Sequence, residues 1–450
     1  MSVTATAHAA PPRPASRQSG KVLDRTTFST SRELEYFTEK ELTAQIGHPV
    51  EYWPIAILRE LIDNALDACE MSNGTPEIEV TIADDRITVT DNGPGLPADT
   101  LKKSLDYMIR VSDKSYYVSP TRGAMGNAMK VIWAAAFVAT GAGCVEVTTR
   151  GKFHRIEITL DRIAQRPRIN HSQEPSFVKN GTSFSIRWTD STRLLTESSS
   201  NSYKSPPLAK ELLDGFAAFN PHATFILNGQ RYERTDPAWK KWRPDNPTSA
   251  HWYTEETLRD LIAAYITKER ASARANAKTV REFVSEFRGL SATAKQKDVS
   301  APWTGKHLAE FVTAGDLDPE FVRDLLARMQ AGSKAPPPLT LGLVGKEHLT
   351  RWMVSHGVSA ESIRYIRKVG VDGLPYALEV AFGVNDDSDS VRRIVTGLNW
   401  SPVVGGDPDP TLRSAVASAR FDAHDPVTLL VHISRPRFAF ADRGKTRLAL

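Results

Sequence analysis

Four short segments carry side chains whose types and spacing could do chemistry. In Arg59-Glu60-Leu61-Ile62-Asp63-Asn64-Ala65-Leu66-Asp67-Ala68, the residues Glu60, Asn64 and Asp67 recur three to four positions apart, which on a helix puts them on one face. Glu60 can polarise a water as general base, while Asn64 offers its carbonyl oxygen to Mg2+, a hard ion that prefers oxygen ligands. Thr90-Asp91-Asn92-Gly93-Pro94-Gly95-Leu96-Pro97 places a carboxylate before a glycine-rich turn. A buried Asp91 can accept the exocyclic amine of adenine, and Gly93 and Gly95 let backbone approach a ligand closely. In Arg122-Gly123-Ala124-Met125-Gly126-Asn127-Ala128-Met129-Lys130 the glycines stand where an apolar helix opens, so that successive N–H groups can face a phosphate. This is not a Walker A loop, which ends in Gly-Lys-Ser/Thr, and neither is Gly342 to Lys346, where Glu347 follows the lysine. Finally, Asn180-Gly181-Thr182 puts a hydroxyl at the start of a strand, where it can brace Asp91. Each segment taken alone also fits a plainer role: a solvated helix face, an Asp-Asn-Gly turn, a weak Gly-x-x-Gly, a structural threonine.

The elements that must position these residues are legible from periodicity. Pro54 can open a helix in which Ile55, Leu58, Leu61, Ile62, Ala65, Leu66 and Cys69 recur at helical spacing. Glu77 to Ile82 and Arg86 to Asp91 alternate around Ala83-Asp84-Asp85 and predict a β-hairpin. Further strands are expected at Cys144 to Arg150, Phe153 to Leu160 and Thr182 to Trp188, giving an α+β sandwich with helices on one face of a mostly antiparallel sheet. Thr254 to Gln330 reads as helical; strands return at Tyr376 to Val384 and Val427 to Ser434, beside a helix near Leu412 to Arg420. A Ser-rich run, Ser191 to Pro207, reads as a loop, and Thr235 to Ser249 and Ala331 to Pro338 as boundaries between domains.

With 450 residues the chain is long enough for two to three domains. The longest apolar stretch, Val131 to Ala139, is far below the roughly 20 residues of a membrane span. The first twenty residues lack an apolar core and read as a disordered tail rather than a secretory signal, so a cytoplasmic location is expected. The two cysteines, Cys69 and Cys144, have no nearby histidine clusters and are expected to be buried as small apolar residues. A net charge of +4 with a pI near 8.9 permits a nucleic-acid partner without requiring one.

The order Glu-x-x-x-Asn, Asp-x-Gly-x-Gly, Gly-x-x-Gly and Gly-Thr resembles the motifs of the GHKL (Bergerat-fold) ATPase superfamily. The resemblance implies ATP and Mg2+ as cofactors, Glu60 as general base, Asn64 as magnesium ligand and Asp91 as reader of adenine. Gly93, Gly95, Arg122, Gly123, Gly126, Asn127 and Thr182 then line the nucleotide, and residues Asp99 to Arg122, with Lys114, Tyr116 and Tyr117, stand in place of the ATP lid. In the second glycine box the usual Gly-x-Gly is replaced by Gly126-Asn127-Ala128.

Beyond these boxes the chain resembles the B-type component of type IIB DNA topoisomerases (topoisomerase VI). Thr279 to Phe287 resembles a helix-two-turn-helix insertion. Pro337 to Leu349, Leu378 to Gly383, Gly397 to Pro402 and Val431 to Ser434 with Phe438 to Lys445 resemble a transducer domain of the ribosomal-protein-S5-like type. The implied organisation is a tail (1–27), an ATPase domain (28–235), a helical domain (250–332) and a transducer (337–450), with Lys445 reaching the γ-phosphate. The implied partners are DNA, an ATP-dependent second copy, and a separate A-type cleaving subunit, with no membrane; the basic run Lys268, Arg270, Arg274, Lys278, Arg281 and Arg288 could contact phosphates or form a solvated helical face. A nucleotide-switched protein of a bacterial defence or chromosome-maintenance complex, without topoisomerase activity, is the alternative reading.

Overall fold

The computed structural model describes residues 32–72, 74–108, 115–122, 128–141, 143–197, 206–271, 277–404, 414–415, 418, 422, 424–441 and 448. The N-terminal part is a sandwich. Its helices are α1 (Glu39–Ile46), α2 (Trp53–Met71), α3 (Ala98–Ser104), α4 (Ala128–Thr140), α5 (Ser191–Leu195) and α6 (Leu208–Phe219). Its strands are β1 (Glu77–Ala83), β2 (Arg86–Asp91), β3 (Gly143–Thr149), β4 (Lys152–Asp161), β5 (Arg166–Pro175), β6 (Thr182–Arg187), β7 (Thr224–Leu227) and β8 (Gln230–Tyr232). The strands form one sheet in the order β5-β4-β3-β6-β2-β1-β7-β8. Only the β1–β7 pairing within it is parallel.

The sheet shows two unlike faces because its strands alternate. In β1, Ile78, Val80 and Ile82 are buried while Glu77, Glu79 and Thr81 are exposed. The buried set, with Ile87, Val89, Val145, Val147, Ile156 and Ile158, shares a core with Leu58, Leu61, Ile62 and Leu66 of α2, Ile132 and Trp133 of α4, and Leu213 and Phe216 of α6. Burying one face and wetting the other is the ordinary solution for an antiparallel sheet backed by helices.

A block of helices follows: α7 (Glu255–Ala271), α8 (Val280–Ser285), α9 (Thr293–Val299) and α10 (Pro319–Gly332), with the short strands β9 (Val312–Thr313) and β10 (Asp316–Leu317) paired as a hairpin. Helix α8 starts on a capping box, Thr279 accepting from the Glu282 N–H and Glu282 reaching back to the Thr279 N–H. The chain closes with α11 (Lys346–Ser355) and the strands β11 (Arg364–Asp372), β12 (Leu374–Val384), β13 (Arg393–Leu398), β14 (Ser401–Pro402) and β15 (Val427–Ser434), in sheet order β11-β12-β15-β13-β14. Helical block and C-terminal sheet share one apolar cluster, which includes Phe283, Phe287, Leu325, Met353, Trp400 and Leu430.

The expected hairpin and the strands near residues 144, 153, 182, 376 and 427 are present. Two features differ from the sequence reading, the Ser-rich run and Cys144. The Ser-rich run opens as helix α5 rather than as a loop: Ser191 and Leu195 are buried there, and the Ser191 hydroxyl donates to the Ala83 carbonyl of the hairpin. Within the expected boundary Thr235 to Ser249 the chain is anchored, with Trp242 1% exposed and Lys241 paired with Glu70 at 2.7 Å. Cys144 is only half-buried, whereas Cys69 is buried. Most of the expected helix Leu412 to Arg420 lies outside the described residues, as do the tail 1–27 and Arg274.

Candidate functional site

The helix-covered face of the sheet is apolar along its length and turns polar at one end. Register places Asp91 of β2 opposite Thr182 of β6, and Thr182 opposite Thr149 of β3. Asp91 lies on the same face as Ile87 and Val89, four and two residues before it. Three polar residues thus end a greasy surface side by side. The Asp91 Oδ1 accepts the N–H of Gly93 at 2.8 Å and of Thr182 at 3.3 Å, and Oδ2 takes no hydrogen bond among the described residues. Burial pushes its pKa up to about 6, against the two N–H donors that lower it. The Thr182 hydroxyl turns to the Thr149 hydroxyl, 3.5 Å away, so Thr182 braces the carboxylate through its backbone rather than through its side chain.

The turn after Asp91 is built for close approach. Gly181 has φ +80°, and a Cβ there would stand 2.1 Å from the Asp91 carbonyl oxygen, a contact no other residue survives. A Cβ on Gly93 would meet Asp91 Oδ1 at 3.0 Å and the Cys69 backbone nitrogen at 3.3 Å, which shows that this turn is pressed onto the last turns of α2. Leu96 N–H donates to Thr149 Oγ1 at 2.8 Å, and Arg150 Nε holds the carbonyls of Pro94 and Gly95 at 3.1 and 3.0 Å. Asn92 stitches the same place, accepting from the Glu77 N–H at 3.0 Å and from Cys69 Sγ at 3.3 Å. The Thr149 and Arg150 contributions have no local sequence signature; a threonine at a strand end predicts nothing until three strands are in register.

Along α2, Glu60 is partly exposed, with Arg59 Nη2 3.0 Å from its Oε1, and Asn64 is exposed. Ala68, against which Gly93 packs, follows Glu60 by eight residues, about 12 Å of helix at 1.5 Å per residue. A partly exposed carboxylate, an exposed carboxamide and the turn after Asp91 therefore stand along one helix edge in that order. One exposed carboxamide oxygen suits Mg2+, which keeps several waters and takes its remaining ligands from phosphates.

Two expectations need correction. Asp67 does not share the open face of Glu60 and Asn64, and Arg122 does not offer its guanidinium to a ligand. Arg122 has no exposed side-chain area and donates to Asp67 at 2.7 Å, to both Glu70 oxygens at 3.0 and 2.8 Å, and to Asn220. Glu70 also meets Lys241 Nζ at 2.7 Å and His222 at 3.0 Å, and Asp63 accepts from Ser401 at 2.7 Å. Lys241 caps the Trp400 ring at 4.3 Å. This buried junction locks α2 to the C-terminal sheet. The physical reason is neutralisation: Asp67 and Glu70 on the inner flank of α2 need a cation there, and the planar fork of Arg122 reaches both at once, whereas burial pushes Asp63 up to about 7. Burial would push Glu70 up, but Arg122 and Lys241 bring it well below the usual carboxylate range. Gly123, Gly126, Asn127, Lys114 and Lys445 lie outside the described residues.

A second glycine loop, Gly342 to Lys346, is filled by protein. The N–H groups of Val344 and Gly345 donate to Glu379 at 2.7 and 2.8 Å, so an internal carboxylate takes the place an anion would occupy.

The sequence profile of the histidine kinase-, DNA gyrase B- and HSP90-like ATPases matches residues 51–191, a stretch that holds Glu60, Asn64, Asp91 and Thr182. Residues 51–191 are a GHKL ATPase domain. Two curated proteins are similar to the chain, both of them B subunits of type 2 DNA topoisomerase 6. That of Archaeoglobus fulgidus is 22% identical over 429 residues, covering 88% of this chain and 66% of its own length. That of Natronomonas pharaonis is 28% identical over 131 residues, covering 27% of this chain and 16% of its own. The chain thus spans less than two thirds of either relative. Among solved structures, the ATPase region of Saccharomyces cerevisiae topoisomerase II is similar at 10% identity, with a TM-score of 0.42 over 88% of this chain and 77% of that one. No helix among the described residues is long and apolar enough to cross a membrane.

Proposed function

We propose that the chain binds and hydrolyses ATP as the B-type component of a type IIB, topoisomerase VI-like DNA topoisomerase, dimerising on ATP to gate DNA passage while a separate A-type subunit cleaves. The observation that carries the nucleotide part is Asp91: an acceptor held at the end of an apolar face by two backbone N–H groups, with one oxygen left open. An exocyclic amine satisfies that oxygen; guanine would present a carbonyl there, acceptor against acceptor, so the pocket favours ATP over GTP. Glu60 takes a proton from the attacking water, and Asn64 would hold Mg2+, which when bound offsets charge on the phosphates. Gly123, Gly126 and Asn127 are proposed to face the phosphates, and Lys445 to reach the γ-phosphate, from the family resemblance of their motifs. Similarity to the Archaeoglobus fulgidus protein over 429 residues supports DNA and an A-type subunit as partners; a second copy and the domain limits 28–235, 250–332 and 337–450 are proposed from the family resemblance of the motifs.

Glu60→Ala should lower ATP turnover by about 100-fold or more, the scale of a lost general base, while a non-hydrolysable ATP analogue still binds. Light scattering after size exclusion should show a monomer without nucleotide and a dimer with that analogue. Unchanged turnover in Glu60→Ala would remove the catalytic assignment, and a monomer in both conditions the gate. A nucleotide-dependent dimer that relaxes no supercoils with its A-type partner would point to a switch in another complex.

A further inference from the structure

The stretch from Ser115 to Arg122 belongs by sequence to the sandwich, yet it is fastened from outside it. Val118 is 2% exposed, and both of its backbone polar groups go to side chains that precede α7. Its N–H donates to the Tyr253 hydroxyl at 3.0 Å, and its carbonyl accepts the Thr248 hydroxyl at 2.6 Å. The Tyr117 hydroxyl meets that of Tyr265 on α7 at 2.6 Å, and Tyr265 donates to Glu286 at 2.6 Å. Lys278 pairs with Glu286 and covers the Tyr265 ring at 4.3 Å. Tyr253 is itself seated against Phe287, with ring centroids 5.6 Å apart. Four residues after Val118, Arg122 enters the acidic flank of α2, the helix that carries Glu60 and Asn64. A buried backbone N–H and C=O must be paired, and here both partners belong to the segment that leads into the helical block.

We propose that Tyr253 and Thr248 are positioning residues for the nucleotide site: they fix Val118, and through it Arg122 on α2, so that the helical block and nucleotide binding are coupled. The inference rests on the ATP reading given above. Coupling of this kind is reciprocal, so whatever shifts α7 and α8 changes nucleotide affinity by the same factor as nucleotide changes them.

The test uses the full chain with Tyr253→Phe, Thr248→Val and the conservative control Thr248→Ser. Tyr253→Phe keeps the ring and strands the Val118 N–H. The Val118 amide should then exchange about tenfold faster, the factor for roughly 1.4 kcal/mol, which is the scale of one lost buried hydrogen bond. The KM for ATP should rise by a similar factor while kcat stays within about twofold, since Glu60 and Asn64 are untouched. Thr248→Val should do the same, and Thr248→Ser should restore both readouts. A merely structural role would lower the melting temperature and leave KM where it was; that outcome overturns the proposal, as does unchanged exchange at Val118. A wild-type chain that binds no ATP at any concentration overturns the nucleotide reading and this inference with it, whereas a wild type that binds ATP beside variants that match it overturns this inference alone.

Discussion

Removing Arg122 should destabilise the protein more than any other single change at the α2 junction. Its guanidinium makes four hydrogen bonds, to Asp67, to both oxygens of Glu70 and to Asn220, with Asp63 4.0 Å from its Nε. In Arg122→Ala, Glu70 keeps Lys241 at 2.7 Å and His222 at 3.0 Å, while Asp67 loses its Arg122 ion pair. Breaking a buried pair by removing one member costs about 3–5 kcal/mol. Arg122→Lys should cost about 2 kcal/mol, because one ammonium cannot serve acceptors spread over α2 and Asn220. The cost lies in buried acids that lose their Arg122 countercharge, so Asp67→Asn with Glu70→Gln should recover a large part of it: a double-mutant-cycle coupling of about 2 kcal/mol or more. Urea unfolding followed by tryptophan fluorescence is suited to the purpose, since Trp400 and Trp242 sit at or near the junction and are buried. A loss below about 1 kcal/mol in Arg122→Ala, or strict additivity with the neutralised acids, would refute the reasoning and return Arg122 to the pool of free cations.

With a pKa near 6 for Asp91 and a ligand amine that needs the carboxylate, affinity for adenosine nucleotides should fall about tenfold from pH 7 to pH 5. Asp91→Asn should bind weakly with a flat profile in calorimetry, and a parallel slope in that variant would disprove the role. Asp214 is held near pKa 2: burial would raise it, but His356 at 3.4 Å and Arg393 at 2.7 Å lower it. A depressed carboxylate stabilises above its ordinary value of 3.8 and loses that contribution as pH falls towards 2. The stability difference between wild type and Asp214→Asn should therefore shrink by about 2 kcal/mol between pH 4.5 and pH 2, and a constant difference would contradict the assignment. Gly181→Ala brings a Cβ to 2.1 Å from the Asp91 carbonyl at a φ of +80°; it should cost about 3 kcal/mol or more and abolish nucleotide binding, which thermal melts and analogue titration would show.

Much of the site was readable in one dimension because its parts are local. Helical spacing alone aligned Glu60 with Asn64, and the alternation of β1 and β2 put Asp91 at the end of a buried face. What spacing could not say is which polar residues of α2 meet water. Asp67 and Asn64 are one turn apart, yet one is 2% exposed and the other open. The strands the sequence reading missed have the same cause. Arg166–Pro175 is polar with a proline at its second and last positions, and becomes β5 only by pairing with β4 along the sheet edge.

The local units were legible in the order of residues: the amphipathic helix with Glu60 and Asn64 on one side, the hairpin ending in a carboxylate, and the glycine turns. What those units face came from packing of the whole chain. Asp63 is answered by Ser401, 338 residues away, Glu70 by Lys241, and Val118 by Tyr253. Periodicity records which side of an element is apolar, a property of neighbours within a few turns. Neutralising a buried charge depends on which distant cation the packed chain brings within about 3 Å, and no local pattern carries that information.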